Sequence, residues 1–316
     1  MNITIAMLIG LSQALNTSAE LPCIQVVPGG AVESFWLQVR RGAEDAGHKY
    51  GYSIYFRGAK TSTHVSDQRR IVGIKEHLGC KALVLAPSAS YDDKIYHFDK
   101  SGIPVVFIDR SAGYTELASL VATDNYNAGY QAGIYMANKL GGTGRIVVFR
   151  LKKGVSSTDL RESGFIDAAK SSGLEIIYDP YIGDNVADGR VVARDVLARV
   201  SGEIDGVFTP NETTSSSLLL ALEHSQPNKD MVNVGFDISQ RLLDGLEKNI
   251  FTALVVQRPY KIGYVGVEKA IDKINGGNKD EFIDTGYMII SKSNLNKQKV
   301  KGELLLNYPE LDIKNN

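Results

Sequence analysis

VVFIDRSAG (105–113) is a run of four apolar residues closed by an acid, a base and a small polar turn. Four apolar residues without alternation are the pattern of a strand covered on both faces, as in a parallel sheet sandwiched between helices. A core strand gains nothing by ending in Asp109 and Arg110, so the pair marks a place where the strand hands polar side chains to something outside the core. Similar runs recur on either side: CIQVVP (23–28), YSIYFR (52–57), ALVLAP (82–87), SLVAT (119–123), RIVVFR (145–150), LEIIYD (174–179), GVFTPN (206–211), VNVGFD (232–237) and TALVVQ (252–257). Helical patterns separate most of them; in FWLQVRRGAEDAGHKYG (35–51), Phe35, Val39, Ala43 and Ala46 form one stripe.

Strand and helix in alternation give an α/β fold. The strands fall into two blocks, about 23–123 and 145–257, joined by NYNAGYQAGIYMANKLGGTG (125–144). A leftover piece, 258–291, holds a helix (260–274) and a last strand, YMIIS (287–291), and must pack on one of the blocks. The expected architecture is therefore two Rossmann-like lobes with parallel sheets, joined by a hinge that the chain crosses more than once. The expected division is an N-terminal lobe of 20–123 plus 258–286 and a C-terminal lobe of 124–257 plus 287–316. Such a pair binds its ligand in the cleft at the carboxyl ends of the strands.

Composition narrows the ligand. The chain has 316 residues, 43% hydrophobic and 22% charged, with a net charge of −1 and no basic cluster, which argues against a nucleic-acid surface. Five scattered histidines and two cysteines give one close pair, His77 and Cys80, too little for a zinc site, so neither metal nor cofactor is expected. Residues 1–19 carry a short apolar stretch, Ile3 to Leu11, and then Ser18-Ala19, similar to a secretory signal peptide cleaved near Ala19 although it lacks a basic start. Glu20-Leu21-Pro22 before Cys23 lacks the small residues that precede a lipidated cysteine, so a soluble periplasmic protein is expected.

The strand exits are polar in five of six cases. Glu33-Ser34-Phe35-Trp36 follows the first strand, Asp109-Arg110 the fourth, Asn211-Glu212 the eighth, Asp237 the ninth and Gln257-Arg258 the tenth; Ala86-Pro87-Ser88 after the third is the exception. An Asp or Asn there serves equally well as the N-cap of the next helix. Arg110 and Gln257 are not preferred caps, however, and six exits converging on one cleft point to a bound molecule. Carboxylates accept from hydroxyls, Arg donates in a fixed fork, and Asn and Gln do both, which suits the vicinal hydroxyls of a sugar or polyol. Phe35 and Trp36 would wall the C–H face of a ring.

The motifs SFWLQVRRGAEDAG, ALVLAP, PVVFIDR, ATDNYNAGYQAG, LRESGF, GVFTPNE, VNVGFD and VVQRPYKIG, in this order and spacing, resemble the pentose- and hexose-binding subgroup of type I periplasmic binding proteins. The resemblance covers roughly residues 23 to 290 and extends in fold to the effector domains of LacI-type repressors. It implies sugar stacking by Phe35 and Trp36 and hydroxyl contacts by Asp109, Arg110, Arg161, Asn211, Asp237 and Gln257. Glu33 and Ala86 stand where the family often has Asn, and no ring occurs near Asp184-Asn185 where a third aromatic is expected, Tyr181 being the nearest. The sugar's identity is thus open. The same fold makes the first and third strands neighbours, so that Cys23 and Cys80 can form a disulfide or remain two buried thiols.

The implied function is that of an exported solute-binding protein, monomeric, that delivers a monosaccharide or polyol to an ABC importer, or alternatively presents it to a chemoreceptor or histidine kinase. A repressor would need a DNA-binding unit of about fifty to sixty residues ahead of the first strand, and 22 residues precede Cys23. An enzyme is not expected: Ser216, Ser217 and Asp237 lack a base histidine, and Gly29-Gly30 opens no phosphate-binding G-x-G-x-x-G loop. Asp109 and Asp237, each beside an arginine, are expected to stay ionised rather than act as an acid–base pair.

Overall fold

The computed structural model describes residues 21–30, 33–59, 65–88, 102–112, 118–200, 202–223, 231–277 and 279–313. The expected signal segment, 1–19, lies outside the described residues. The first sheet is built from β1 (Cys23–Val27), β2 (Ser53–Phe56), β3 (Ala82–Leu85), β4 (Val105–Ile108) and β5 (Ser119–Ala122), with α1 (Ser34–Tyr50) and α2 (Val65–Leu78) between its early strands. There follow α3 (Asn125–Leu140), β6 (Gly144–Val148), α4 (Ser156–Ser171), β7 (Leu174–Tyr178), α5 (Val186–Arg199), β8 (Gly206–Phe208), α6 (Glu212–Leu222), β9 (Val232–Phe236), α7 (Gln240–Glu247) and β10 (Ala253–Gln257). The chain ends through α8 (Pro259–Ile274), β11 (Phe282–Asp284), β12 (Tyr287–Ile290) and α9 (Gln298–Asn307).

The two sheets share one strand order, β2-β1-β3-β4-β5-β11 and β7-β6-β8-β9-β10-β12. Every pairing is parallel except that of β12 with β10. The chain passes from the first sheet to the second between β5 and β6, returns between β10 and β11, and crosses again between β11 and β12; α8 packs back on α1, β3, β4 and β5. The inner strands are buried along their whole length because helices cover both faces. In the first lobe Val84, Val106 and Ile108 face α1 and α8, while Leu83, Leu85 and Phe107 face Ile71 and Val72 of α2. Strand β11 is not foreseen from the sequence: it is a three-residue edge strand whose Phe282 is 54% exposed, so neither hydrophobic alternation nor length betrays it.

Two helix pairs lock against each other through glycine. A Cβ on Gly42 of α1 or Gly263 of α8 would overlap the carbonyl of Tyr260 or Val39, and one on Gly129 of α3 or Gly164 of α4 would overlap that of Arg161 or Tyr126. Each lobe thus has one backbone-to-backbone helix contact, and the second holds the backbone of Arg161.

Cys23 and Cys80 are disulfide-bonded, with Cα atoms 4.3 Å apart, at the amino ends of the adjacent strands β1 and β3 and away from the cleft. That bond also removes Cys80 from any pairing with His77, whose side chain lies outside the described residues. Among the described residues no cluster of three or more potential metal ligands occurs, and no helix is long and apolar enough to cross a membrane.

Candidate functional site

Strands β4 and β9 hold the same place in their two sheets, and each ends in an aspartate with left-handed backbone: φ is 63° at Asp109 and 66° at Asp237. In both, the aspartate N–H makes the last sheet rung, to Val121 O at 3.0 Å and Val255 O at 2.8 Å, before the chain turns. Outside glycine, aspartate and asparagine are the residues that tolerate this conformation best, and such positions cluster at functional sites. The result is one buried carboxylate from each lobe, 4% exposed in both cases.

Arg161 joins them. Its side chain is 2% exposed and reaches from α4 to within 3.8 Å of Asp109 Oδ1 and 3.9 Å of Asp237 Oδ2, stacked 4.2 Å over the Phe236 ring. Its Nε donates to Asn125 Oδ1 at 2.8 Å and its Nη1 to the Pro210 carbonyl at 3.0 Å. Burial lowers its pKa and the two aspartates raise it again. Asn125 is a positioning residue that the sequence reading passes over: while accepting from Arg161 it donates to the Asp109 carbonyl at 3.3 Å.

The other groups gather around this centre. Arg110 Nε donates to Asp109 Oδ2 at 3.0 Å, and its guanidinium lies 5.6 Å from the Trp36 ring, which packs edge-on against Phe35 at 4.8 Å. Gln257 Nε2 donates to Asp237 Oδ1 at 2.7 Å, and the Glu212 N–H donates to Asp237 Oδ2 at 3.0 Å. Asn211 lines the cavity but also caps α6, its Oδ1 accepting from the Thr214 N–H at 3.1 Å, so the capping and cleft readings are both true of it.

All nine site residues expected from the sequence, Glu33, Phe35, Trp36, Asp109, Arg110, Arg161, Asn211, Asp237 and Gln257, line one cleft, with about 450 Å³ of empty space including its mouth. Leu151, Val155, Ser157, Thr158, Glu212 and Thr213 complete the lining. Tyr181 is not among them: it is 42% exposed, and its ring lies 4.5 Å from the Arg150 guanidinium, so the third wall is aliphatic, from Leu151 and Val155. Burial pushes the Asp237 carboxyl up from its ordinary value, while Arg161, Gln257 and the Glu212 N–H pull it down.

The lobes meet across the cleft. Ser156 Oγ donates to the Ser111 carbonyl at 3.0 Å, and Glu310, after α9, accepts from Ser34 Oγ at 2.5 Å and Gln38 Nε2 at 2.8 Å of α1. Glu212 of the second lobe accepts from the backbone N–H groups of Ser34 and Phe35, the first turn of α1.

The model of the periplasmic binding protein domain matches residues 24–279, most of the chain. The protein belongs to this family. It is similar to the ribose import binding protein RbsB of Bacillus subtilis, 28% identical over 246 residues that cover 77% of this chain and 78% of the relative. In fold it is similar to the periplasmic component of a sugar transport system from Hahella chejuensis, with TM-score 0.81, 31% identity, and coverage of 86% of this chain and all of that one. A solute-binding protein of Agrobacterium vitis with bound D-fucose gives TM-score 0.83 and 29% identity over 88% of this chain and 98% of that one. In the family's two-lobed plan the cleft between the sheets is the feature on which Asp109, Asp237 and Arg161 converge.

Proposed function

We propose that the protein binds a monosaccharide or related polyol in this cleft, in the periplasm after removal of residues 1–19, and delivers it to an ABC-type importer. The observation that carries this reading is the set of buried cleft atoms without a hydrogen-bond partner: Arg110 Nη1 and Arg161 Nη2 as donors, Gln257 Oε1 as an acceptor, and Glu212 Oε2 of a carboxyl that can do either. Hydroxyl groups donate and accept at once, so a polyol meets both needs, and each unmet partner costs about 1–3 kcal/mol, which gives selectivity. The edge-to-face pair Phe35 and Trp36 supplies an apolar wall for a ring. The roles follow from position: Asp109 and Asp237 accept, Arg110 and Arg161 donate, Asn211 and Gln257 do either, and Glu33 sets the rim. The ribose and fucose relatives support the class. The lobes that close on the ligand are 20–123 with 258–286 and 124–257 with 287–316, acting as a monomer, and no catalytic step is assigned.

A thermal-shift screen with pentoses, hexoses, deoxysugars and inositols tests this, since a ligand bound by the native state raises Tm by mass action. A polyol should raise Tm, and Asp109→Asn should weaken its binding at least tenfold. An upward shift with an amino acid or peptide, and with no polyol, would overturn the reading.

A further inference from the structure

Residues 298–313 lie beyond the stretch that the family model matches, 24–279, and they touch both lobes. One side of this segment belongs to the second lobe. Leu304, Tyr308, Leu311 and Ile313 are buried in the core that holds Phe251, Leu254, Val256 and Ile290. Anchored there, the segment moves with that lobe. Near its start Glu303 accepts from Arg258 Nε at 2.6 Å, and the same guanidinium donates through Nη1 to the Thr285 carbonyl at 3.1 Å. The segment is thereby tied to two of the crossings between the lobes.

Its other side meets α1 of the first lobe. Arg41 Nη2 donates to the Leu306 carbonyl, and the Glu310 carboxylate accepts from Ser34 Oγ at 2.5 Å through one oxygen and from Gln38 Nε2 at 2.8 Å through the other. The turn so held begins α1 and carries Phe35 and Trp36, the apolar wall of the cleft. That first turn contains no acidic residue to answer the positive end of its helix dipole. Two glutamates of the second lobe do so instead. Glu212, a cleft-lining residue, accepts from the Ser34 and Phe35 N–H groups, and Glu310, which is not among the lining residues, takes the Ser34 hydroxyl and the Gln38 amide.

When the lobes part, α1 leaves the second lobe and the Glu310 contacts break; when they close, the contacts form again. We propose that Glu310 is a positioning residue of the binding site, through which the segment 298–313 latches the first turn of α1, with Phe35 and Trp36, against the second lobe and favours the closed cleft. It touches no ligand, so it strengthens the retention of every occupant by the same factor, while selectivity stays with the cleft side chains. The latch rests on the cleft being the binding site and not on the class of molecule held there.

The test reads Trp36, which sits in the latched turn, is 5% exposed and is the chain's one tryptophan. Acrylamide quenching of its fluorescence in the ligand-free whole protein reports how readily the cleft opens. Glu310→Ala should raise the quenching constant by about twofold or more. Ser34→Ala should raise it too, but should add less in the Glu310→Ala background than in the parent, because the two substitutions break one contact. Asp312→Ala, two residues further along the segment, should leave it unchanged. D-ribose, D-fucose and myo-inositol are the probes of binding: each that binds the parent should dissociate about fivefold faster from Glu310→Ala, by a common factor, with little change in association rate. Equal quenching in Glu310→Ala and the parent, or the same rise in Asp312→Ala, would overturn the inference whatever the change in Tm. Steeper quenching with unchanged dissociation would also overturn it, since the contact would then have no part in binding. If no polyol binds the parent, the polyol reading falls and the quenching comparison alone decides the latch.

Discussion

Arg161→Met is the most informative perturbation of the cleft. It keeps the length of the aliphatic stem over Phe236 but removes the charge that lies within 4 Å of two buried carboxylates. At an effective dielectric of about 20, each contact is worth roughly 4 kcal/mol of gross attraction. The hydrogen bonds to Asn125 Oδ1 and the Pro210 carbonyl add about 1.5–3 kcal/mol apiece as charge-assisted bonds. Against these stands the several-kcal/mol cost of burying the guanidinium, which the variant no longer bears. The net loss for breaking a buried pair from one side is about 3–5 kcal/mol, because Asp109 and Asp237 are left without their shared partner. At about 2.1 cal/mol/K of unfolding entropy per residue, a chain of 316 residues converts that loss into a fall in Tm of roughly 5–8 °C. Asp237→Asn should recover part of the loss in the Arg161→Met background, by at least about 1 kcal/mol relative to additivity, since it removes one of the stranded charges. Urea unfolding of the ligand-free single and double variants measures both quantities. A single variant within about 1 kcal/mol of the parent, or strict additivity in the double, would show that Arg161 does not neutralise the two aspartates.

Two further outcomes follow from the structure. Glu212 has its pKa raised from 4.5 to about 8, so the folded state holds a proton that the unfolded chain has lost. Its contribution is therefore complete below about 4.5 and declines as pH rises towards 8; Tm of the ligand-free protein should fall over that window, and Glu212→Gln should flatten the decline, an unchanged slope counting against the assignment. The Cys23–Cys80 bond spans a sequence separation of 57, for which the chain-entropy model gives about 4 kcal/mol. The Cys23→Ser, Cys80→Ser double variant should show a clearly lower Tm than the oxidised protein, and equal values would remove the bond from the stability of the first lobe.

The fold was legible because its signal is local: runs such as Leu83-Val84-Leu85 and Val105-Val106-Phe107-Ile108 need two covered faces, and only an α/β layer structure provides them. Most of the cleft was legible for a related reason, since Asp109, Arg110, Asp237 and Gln257 are too polar for the ends of buried strands. Tyr181 was misplaced because closeness in sequence to Asp184 says nothing of where the ring points. A backbone bridge from Tyr181 to Arg150 carries the ring to that guanidinium and out of the cleft. Asn125 reads in the sequence as one polar residue of a helix start, and only the meeting of α3 with α4, set by Gly129 and Gly164, gives it Arg161 as a partner.

Glu212 shows why the two-lobed plan matters to affinity. In the sequence it is an acid in the first turn of α6, where it would favour its own helix dipole. In the folded chain its carboxyl instead meets the first turn of α1, a helix of the other lobe, and its N–H holds Asp237. The same residue thus fixes an aspartate of the second lobe and grips the first. Arg161 does likewise, lying beside one aspartate from each sheet. Cleft assembly and lobe closure are therefore one event in free energy. A substitution that loosens closure, at Glu310 against Ser34 and Gln38 for instance, should reduce affinity for every ligand by the same factor. A substitution at Glu33 or Glu212 should in addition change which ligand is preferred.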